Sequence, residues 1–140
     1  MPYRFLPDVA LADIAFEASS SSVDGLFESC AKALSDIMVD PKTLRRRLTK
    51  EFSLTSDTLD RLLYDFLTEL IIVKDVDSLL FGDIQVKVAA DGTSLTAVAK
   101  GEPIDRKRHT LRNDVKAVTM HMFGVTHVGR RWKATVVLDI

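Results

Sequence analysis

The sequence predicts an α+β domain in which two helices pack on a mainly antiparallel β-sheet. Two segments repeat apolar residues at three- and four-residue steps, which is typical of amphipathic helices. About seven shorter segments alternate apolar and polar residues or are rich in β-branched residues, which indicates strands. The chain has 140 residues, of which 46% are hydrophobic, so it can bury one core. We therefore expect a single domain over residues 1–140.

The first helix is predicted over residues 23–38, after two short strands over residues 3–6 and 14–18. Ser21 or Ser22 can accept hydrogen bonds from the free amides at its start. The helix should end before an Asp-Pro pair, since the residue before proline disfavours helical geometry. Its apolar face consists of Val23, Leu26, Phe27, Cys30, Ala31, Leu34, Ile37 and Met38.

The second helix is predicted over residues 59–70, where leucine and phenylalanine recur at helical spacing. Residues 55–57, Thr-Ser-Asp, offer a cap before it. Between the helices, residues 44–54 alternate leucine or phenylalanine with arginine and other polar residues. This pattern predicts a third strand with one solvated face.

A β-hairpin is predicted over residues 84–88 and 94–100, because Asp91 and Gly92 tolerate the positive φ angles of a tight turn. Residues 102–113 are polar and contain a proline, so we expect a long exposed loop.

Two further strands are predicted over residues 115–123 and 132–140, joined by residues 124–131. Both are rich in β-branched residues and alternate in polarity. They complete the predicted sheet.

Composition limits the classes of function. There are 19 basic and 20 acidic residues, so no bulk positive charge exists to hold RNA. If RNA is the target, we expect another protein to bind it. The one cysteine excludes an internal disulfide and suits a reducing cytosol. No signal segment and no apolar run of roughly 20 residues occur, so we expect a cytoplasmic protein without a membrane span.

The common catalytic motifs are absent, including the phosphate-binding loop, the nucleotide-binding glycine motif, the serine nucleophile elbow and the zinc-protease helix. Cys30 lies on a predicted apolar face, where burial disfavours the reactive thiolate. His109, His121 and His127 lack the compact spacing of a transition-metal site. An enzyme is therefore not the favoured interpretation.

Carboxylates form the most suggestive set. Asp8, Asp13, Asp40 and Asp139 lie at the ends of predicted elements, and Ile140 adds a main-chain carboxylate if the natural chain ends there. Oxygen ligands of this kind suit calcium or magnesium. The alternative is that the aspartates cap helices or face solvent in turns.

Lys116 shares its parity with Val118, Met120 and Met122, so it begins a mostly apolar strand face. Such a lysine either extends its ammonium to the sheet edge or marks a functional contact.

Two basic runs, residues 45–47 and 106–108, could contact phosphates or could simply be solvated. Neither run is interleaved with aromatic residues. If the two runs formed one face, an RNA-binding or chaperone-like module would be favoured.

Several motifs in a fixed order resemble the archease family. They span the chain from residue 3 to residue 140, and Ala10 and Leu11 stand where the family usually has a histidine. The motifs are Tyr3-Arg4-Phe5-Leu6, Ala12-Asp13-Ile14-Ala15-Phe16-Glu17-Ala18, Leu26-Phe27-Glu28, Ile37-Met38-Val39-Asp40, Leu62-Leu63-Tyr64-Asp65-Phe66-Leu67-Thr68-Glu69-Leu70, Gly101-Glu102, His109, Asp114-Val115-Lys116-Ala117-Val118-Thr119-Met120-His121 and Val136-Val137-Leu138-Asp139-Ile140.

The resemblance implies a fold of strand-helix-strand units and a protein that is not itself an enzyme. It implies a cofactor that promotes guanylylation and multiple turnover of an RtcB-type RNA ligase during tRNA splicing, with tRNA contacted indirectly through the ligase. It also implies a divalent-metal site, for calcium or for magnesium or manganese, formed by Asp13, Asp139, Asp40 and Ile140. By the same resemblance, Lys116 contacts the partner or a phosphate.

Two alternatives remain. A chaperone-like or RNA-binding module would have no link to a ligase. A metal-dependent phosphohydrolase would use the same aspartates to hold two metal ions about 3.5–4 Å apart.

Overall fold

The computed structural model describes residues 2–6 and 13–140, which form two helices and seven strands. The α+β class is confirmed. Asp8, Ala10 and Leu11 lie outside the described residues. The elements are β1 (Tyr3–Leu6), β2 (Asp13–Ser20), α1 (Val23–Met38), a 3-10 turn (Pro41–Thr43), β3 (Leu48–Thr55), α2 (Leu59–Asp77), β4 (Leu79–Val88), β5 (Ser94–Pro103), β6 (Ala117–Val128) and β7 (Arg131–Asp139).

The strands form two antiparallel sheets, where the sequence alone suggested one. The four-stranded sheet has the order β1-β2-β7-β6, and the three-stranded sheet has the order β3-β5-β4. Helix α1 contacts β2 and β7 of the first sheet and β4 of the second, and α2 contacts strands of both sheets. The two helices therefore each contact both sheets, and one hydrophobic core contains residues from both helices and both sheets.

Helix α1 begins as its sequence predicts. The Ser22 hydroxyl accepts a hydrogen bond from the Gly25 amide at 3.0 Å. Cys30 is fully buried, which confirms its assignment to the core, and burial raises the pKa of its thiol. Phe27 stacks on Phe66 of α2 with ring centroids 6.1 Å apart. Neither helix combines the length and apolar character needed to cross a membrane.

Polar residues of α1 bond to the open edge of the three-stranded sheet. Strand β4 lies at that edge. Asp24 accepts a hydrogen bond from the Val88 amide at 2.8 Å, and Glu28 accepts one from the Val86 amide at 2.9 Å. The Ser35 hydroxyl donates to a β4 carbonyl at 2.6 Å. The side chains of α1 thus satisfy backbone groups that a further strand would otherwise bind.

Two predicted boundaries between the helices were wrong. Strand β3 begins at Leu48 rather than at residue 44, because the chain first forms the 3-10 turn over Pro41–Thr43. The cap of α2 is Thr58, not residues 55–57, and its hydroxyl accepts an amide of the first turn. The helix also continues to a left-handed cap at Ser78, whose φ is 55°.

The predicted hairpin is confirmed as β4 and β5, which pair from Leu79–Pro103 to Val88–Leu95. Its turn is longer than an Asp-Gly turn. Gly92 has a positive φ of 75°, and the Ala89 amide donates to the Ser94 carbonyl at 2.9 Å.

The interpretation of residues 102–113 as an exposed loop was wrong at two positions. Glu102 and His109 are only 1% and 5% exposed. Glu102 belongs to β5, and His109 packs against it from the following segment. Polar residues can look solvated in sequence when they actually pair with each other inside the fold.

The last two strands form a hairpin that is longer than predicted. Strand β6 runs to Val128, and Gly129, with φ of 60°, turns the chain directly into β7. The residues taken as a connection therefore lie mostly within the sheet.

Strand β6 also contains an irregularity. Its register with β7 shifts between Thr119 and Gly124, and Met122 adopts a left-handed φ of 57°. Met120 and Met122 are 62% and 53% exposed, so the apolar face predicted to start at Lys116 is buried at Val118 but not beyond it. A bulge in the pairing turns these side chains outward.

Candidate functional site

Asp13 and Asp139 lie directly opposite each other at one end of the four-stranded sheet. Asp13 is the first residue of β2, Asp139 is the last of β7, and the two are register partners. Such partners in an antiparallel pair project to the same face, with Cβ atoms about 4.5–5.5 Å apart. Both residues are half-buried. We call this end of the sheet, with its two carboxylates, the acidic end.

Neither residue that lies opposite Asp139 on the neighbouring strands carries a positive charge. Its register partners are Asp13 on one side and Ala117 on the other. Like charges directly opposite each other destabilise a sheet. The arrangement therefore has a local electrostatic cost that a bound cation would relieve.

Lys116 lies beside this pair. Its backbone amide donates to the carbonyl of Asp139 at 2.8 Å, and its side chain is exposed immediately before β6. The predicted lysine and the predicted aspartates are therefore brought to the same end of the sheet.

A buried lysine that the sequence analysis missed holds the Lys116 segment in place. Lys74 of α2, 7% exposed, donates to the Asp114 carboxylate at 2.6 Å and to the Val115 carbonyl at 2.7 Å. The hydrogen bond and charge of Lys74 lower the pKa of Asp114, with smaller contributions from Lys116 and Arg106. Lys74 continues the apolar face of α2, and a lysine at such a position was a signal available in the sequence.

Asp40, the third predicted carboxylate, has its own local role. Its carboxylate accepts the Lys42 amide at 3.0 Å and so caps the 3-10 turn. It also lies 3.9 Å from the Arg112 guanidinium. The alternative interpretation, in which such aspartates act as caps, thus describes a local role of Asp40.

One segment of chain connects Asp40 to the acidic end. The Asp40 amide donates to the Thr110 carbonyl at 2.8 Å, and the Lys116 amide donates to Asp139 at 2.8 Å. Residues 110–116 therefore run from the end of α1 to the end of β7.

The ligand atoms at the acidic end are of the type that a hard divalent cation prefers, because the side chains of Asp13 and Asp139 offer only oxygen atoms. Ile140 is the next residue after Asp139. Within residues 2–6 and 13–140, no three histidine, cysteine, aspartate or glutamate side chains come together closely enough to hold a metal. The pair fits such a cation, and the four-residue site stays a prediction.

A second carboxylate, Glu102, lies at the end of the three-stranded sheet and is fully satisfied. It accepts the Arg45 amide at 2.6 Å, the His109 Nε2–H at 2.8 Å and the Arg108 guanidinium. The Asp105 amide donates to His109 Nδ1 at 2.9 Å, which assigns the proton of the neutral ring to Nε2. This cluster also gives His109 a role that needs no metal.

Burial by itself would raise the pKa of Glu102. The hydrogen bonds from His109, Arg108 and the Arg45 amide outweigh burial and lower the pKa to about 2. The carboxylate therefore stays ionised and ties the segment after the 3-10 turn to the segment after β5.

The sequence matches the family model described as the Archease protein family (MTH1598/TM1083) over residues 3–140. Protein archease of Thermococcus gammatolerans is 35% identical over 132 residues, which cover 92% of this chain and 93% of that protein. The chain belongs to the archease family.

Solved structures of relatives agree with this membership. The solution structure of Methanobacterium thermoautotrophicum protein 1598 is 33% identical, with a TM-score of 0.81 and 99% of each chain covered. The crystal structure of an archease from Thermotoga maritima, described as a possible chaperone, is 20% identical, with a TM-score of 0.68 and 96% coverage of each chain. The second likeness concerns the fold alone. The archease-like α+β fold expected from the sequence is confirmed.

Proposed function

We propose that this archease activates an RtcB-type RNA ligase, promoting ligase guanylylation and multiple turnover in tRNA splicing. One observation carries the proposal: Asp13 and Asp139 face each other across neighbouring strands, with Lys116 bonded to the backbone of Asp139. Opposed carboxylates beside an exposed ammonium form a surface that can bind a cation and an anionic group together.

In this proposal, Asp13 and Asp139 hold a divalent cation, with Asp40 and Ile140 as further oxygen donors. The ion is calcium, or magnesium or manganese, since hard cations prefer carboxylate oxygens. A divalent cation held there would offset the two negative charges of Asp13 and Asp139. Lys116 then binds a phosphate or a carboxylate of the ligase, and Lys74 keeps Lys116 in position through the Asp114 contact.

The activator has no catalytic role of its own in this proposal and acts in the cytoplasm. The ligase binds the tRNA halves, and the acidic end meets the ligase near its nucleotide. An activator of this kind lowers a barrier in its partner by positioning groups or by shifting the partner toward an active conformation.

The deciding experiment is multiple-turnover RNA joining by the cognate ligase with GTP and a divalent metal. Wild type, Asp13→Asn and Asp139→Asn are compared, with Asp57→Asn as a control in an exposed position before α2. We expect stimulation by wild type and by the control and its loss in both acidic-end variants. An absence of stimulation at any protein ratio would contradict the proposal.

A hydrolysis assay with the purified protein and a divalent metal, without ligase, tests the phosphohydrolase alternative. Turnover of phosphoester substrates by the purified protein, dependent on Asp13 and Asp139, would favour that alternative. We expect none.

A chaperone-like activity is the second candidate, favoured by the exposed Met120 and Met122 at the irregular part of β6. Flexible, polarisable methionines suit surfaces that bind varied apolar segments. Suppression of aggregation of an unfolded protein, lost in Met120→Ser/Met122→Ser but retained in Asp13→Asn, would support it.

A further inference from the structure

Arg47 of the first basic run and all three residues of the second run line one groove, although the runs are far apart in sequence. The groove has a volume of about 650 Å3 at the end of the three-stranded sheet. Four of its lining residues are cationic, namely Arg47, Arg106, Lys107 and Arg108. We call it the basic groove.

The buried Glu102 explains why the runs converge. It binds the backbone of Arg45 in the first run and the guanidinium of Arg108 in the second. The Arg47 amide also donates to the Gly101 carbonyl at 2.9 Å, and Arg108 donates to the Thr43 carbonyl at 3.1 Å. The groove is thus held by hydrogen bonds along both walls.

The charge in the groove remains positive after internal pairing. Arg108 balances Glu102. Asp105, the other acid in the lining, accepts the Lys107 amide at 3.0 Å in its own turn. Arg47, Arg106 and Lys107 are exposed, and no described acid lies within ion-pair distance of them. The groove therefore has three exposed cationic side chains that are not paired with a described acid, and Asp105 is the one other acid in its lining.

We propose that the basic groove binds the phosphate backbone of single-stranded RNA. Arginine is suited to phosphate, since its planar fork can donate two hydrogen bonds at once. The proposal goes beyond the activation of a ligase, which does not require the protein to touch RNA.

The charged residues of the lining favour RNA over an acidic segment of a protein. Pro103 and Ile104 are its apolar members, and the large hydrophobic side chains exposed elsewhere, such as Val76, Met120 and Val128, are not part of it. Protein interfaces have an apolar core, whereas backbone contacts to nucleic acid use charged and polar groups.

Arg106 in the groove and Lys116 both contribute to lowering the pKa of Asp114, after the larger contribution of Lys74. The neutral overall composition is no obstacle, because counterion release depends on the local charges that meet phosphates.

The test is fluorescence anisotropy with a labelled, unstructured RNA of about 20 nucleotides, a length that exceeds the reach of a few phosphate contacts. EDTA is present so that the acidic end carries no metal. Three contacts, from Arg47, Arg106 and Lys107, predict a slope of log K against log salt of about −2 for wild type. Arg47→Ser/Arg106→Ser should weaken binding at least about tenfold and flatten the slope by about 1 to 2.

The matched control is Arg130→Ser/Lys133→Ser, which removes the same charge from exposed positions on the β6–β7 hairpin. It should bind RNA nearly as wild type does. Equal weakening by both double variants, or no binding by wild type at low salt, would overturn the proposal. Competition by a polyglutamate peptide of equal length at equal concentration would assign the groove to an acidic protein segment instead. Ligase stimulation by Asp13→Asn is measured separately, so the two proposals can fail independently.

Discussion

The ends of the two sheets place carboxylates in opposite situations. At the three-stranded sheet, Glu102 is buried and receives hydrogen bonds from Arg108, His109 and a backbone amide. At the four-stranded sheet, Asp139 faces another carboxylate, Asp13. A carboxylate with all its donors present stabilises the fold, whereas two opposed carboxylates destabilise the sheet unless a cation lies near them. The comparison separates an acid whose charge is compensated by hydrogen bonds from one that faces another acid.

Truncation of the satisfied acid should have the largest effect. Glu102→Ala leaves the buried His109 donor and the partly exposed Arg108 guanidinium without their acceptor, which we expect to cost about 3 kcal/mol of unfolding free energy. Urea denaturation measures it. Glu51→Ala, at an exposed position of β3, is the control and should change stability little. A loss below about 1 kcal/mol would remove Glu102 from the structural role assigned to it.

The pH dependence of stability sharpens the same point. The pKa of Glu102 is lowered from 4.5 to about 2 in the folded protein, so the unfolded chain binds the proton first as pH falls. Its contribution is present above about pH 4.5 and is lost between about pH 4.5 and 2. Urea midpoints across this range should fall for wild type. In Glu102→Gln, which cannot ionise, the fall should be smaller.

Lys74→Met should have an intermediate effect on stability. The methionine fills similar space, but the carbonyl of Val115 loses its donor in a buried position. The expected cost is about 2 kcal/mol, since unsatisfied buried groups cost about 1–3 kcal/mol. If Lys74 also positions Lys116, the variant should lose ligase stimulation at temperatures where it remains folded. Lys32→Met, on the exposed side of α1, is a suitable control.

The smallest effect is expected at the acidic end without metal. Asp13→Asn removes one of two opposed charges and should leave stability in EDTA unchanged or raise it by about 0.2–1 kcal/mol. Adding calcium should then raise the unfolding temperature of wild type more than that of the variant, because binding to the folded state stabilises it. Destabilisation by Asp13→Asn in EDTA would make Asp13 a structural residue like Glu102.

Local sequence was sufficient for the helices and for the carboxylates at the ends of strands. The apolar faces of α1 and α2 recur at helical spacing, and Asp13 and Asp139 adjoin strand patterns. Their direct opposition could not be predicted from periodicity, since it depends on which strands pair and in which register. The sequence analysis placed these two aspartates in one site because of the resemblance to archease, not because of their spacing.

The Glu102 cluster shows where sequence reasoning stopped. Glu102, Arg108 and His109 look like residues of a solvated loop, and nothing in their spacing indicates that they bind one another. The convergence of the basic runs depends on this cluster. It could not be predicted from the sequence for the same reason. Lys74 differs, because a charged residue on the apolar face of a helix already indicates a buried partner.

The bonding of α1 to the edge of β4 has a consequence for folding and self-association. An open strand edge is a template onto which another chain can add a strand, and natural proteins cover such edges. Here the cover is a helix, through Asp24, Glu28 and Ser35. Until α1 docks, β4 is open to other copies of the chain. Partial unfolding that releases α1 would therefore expose this edge to other copies of the chain, and the hydrogen bond of Glu28 to the Val86 amide helps to keep it covered.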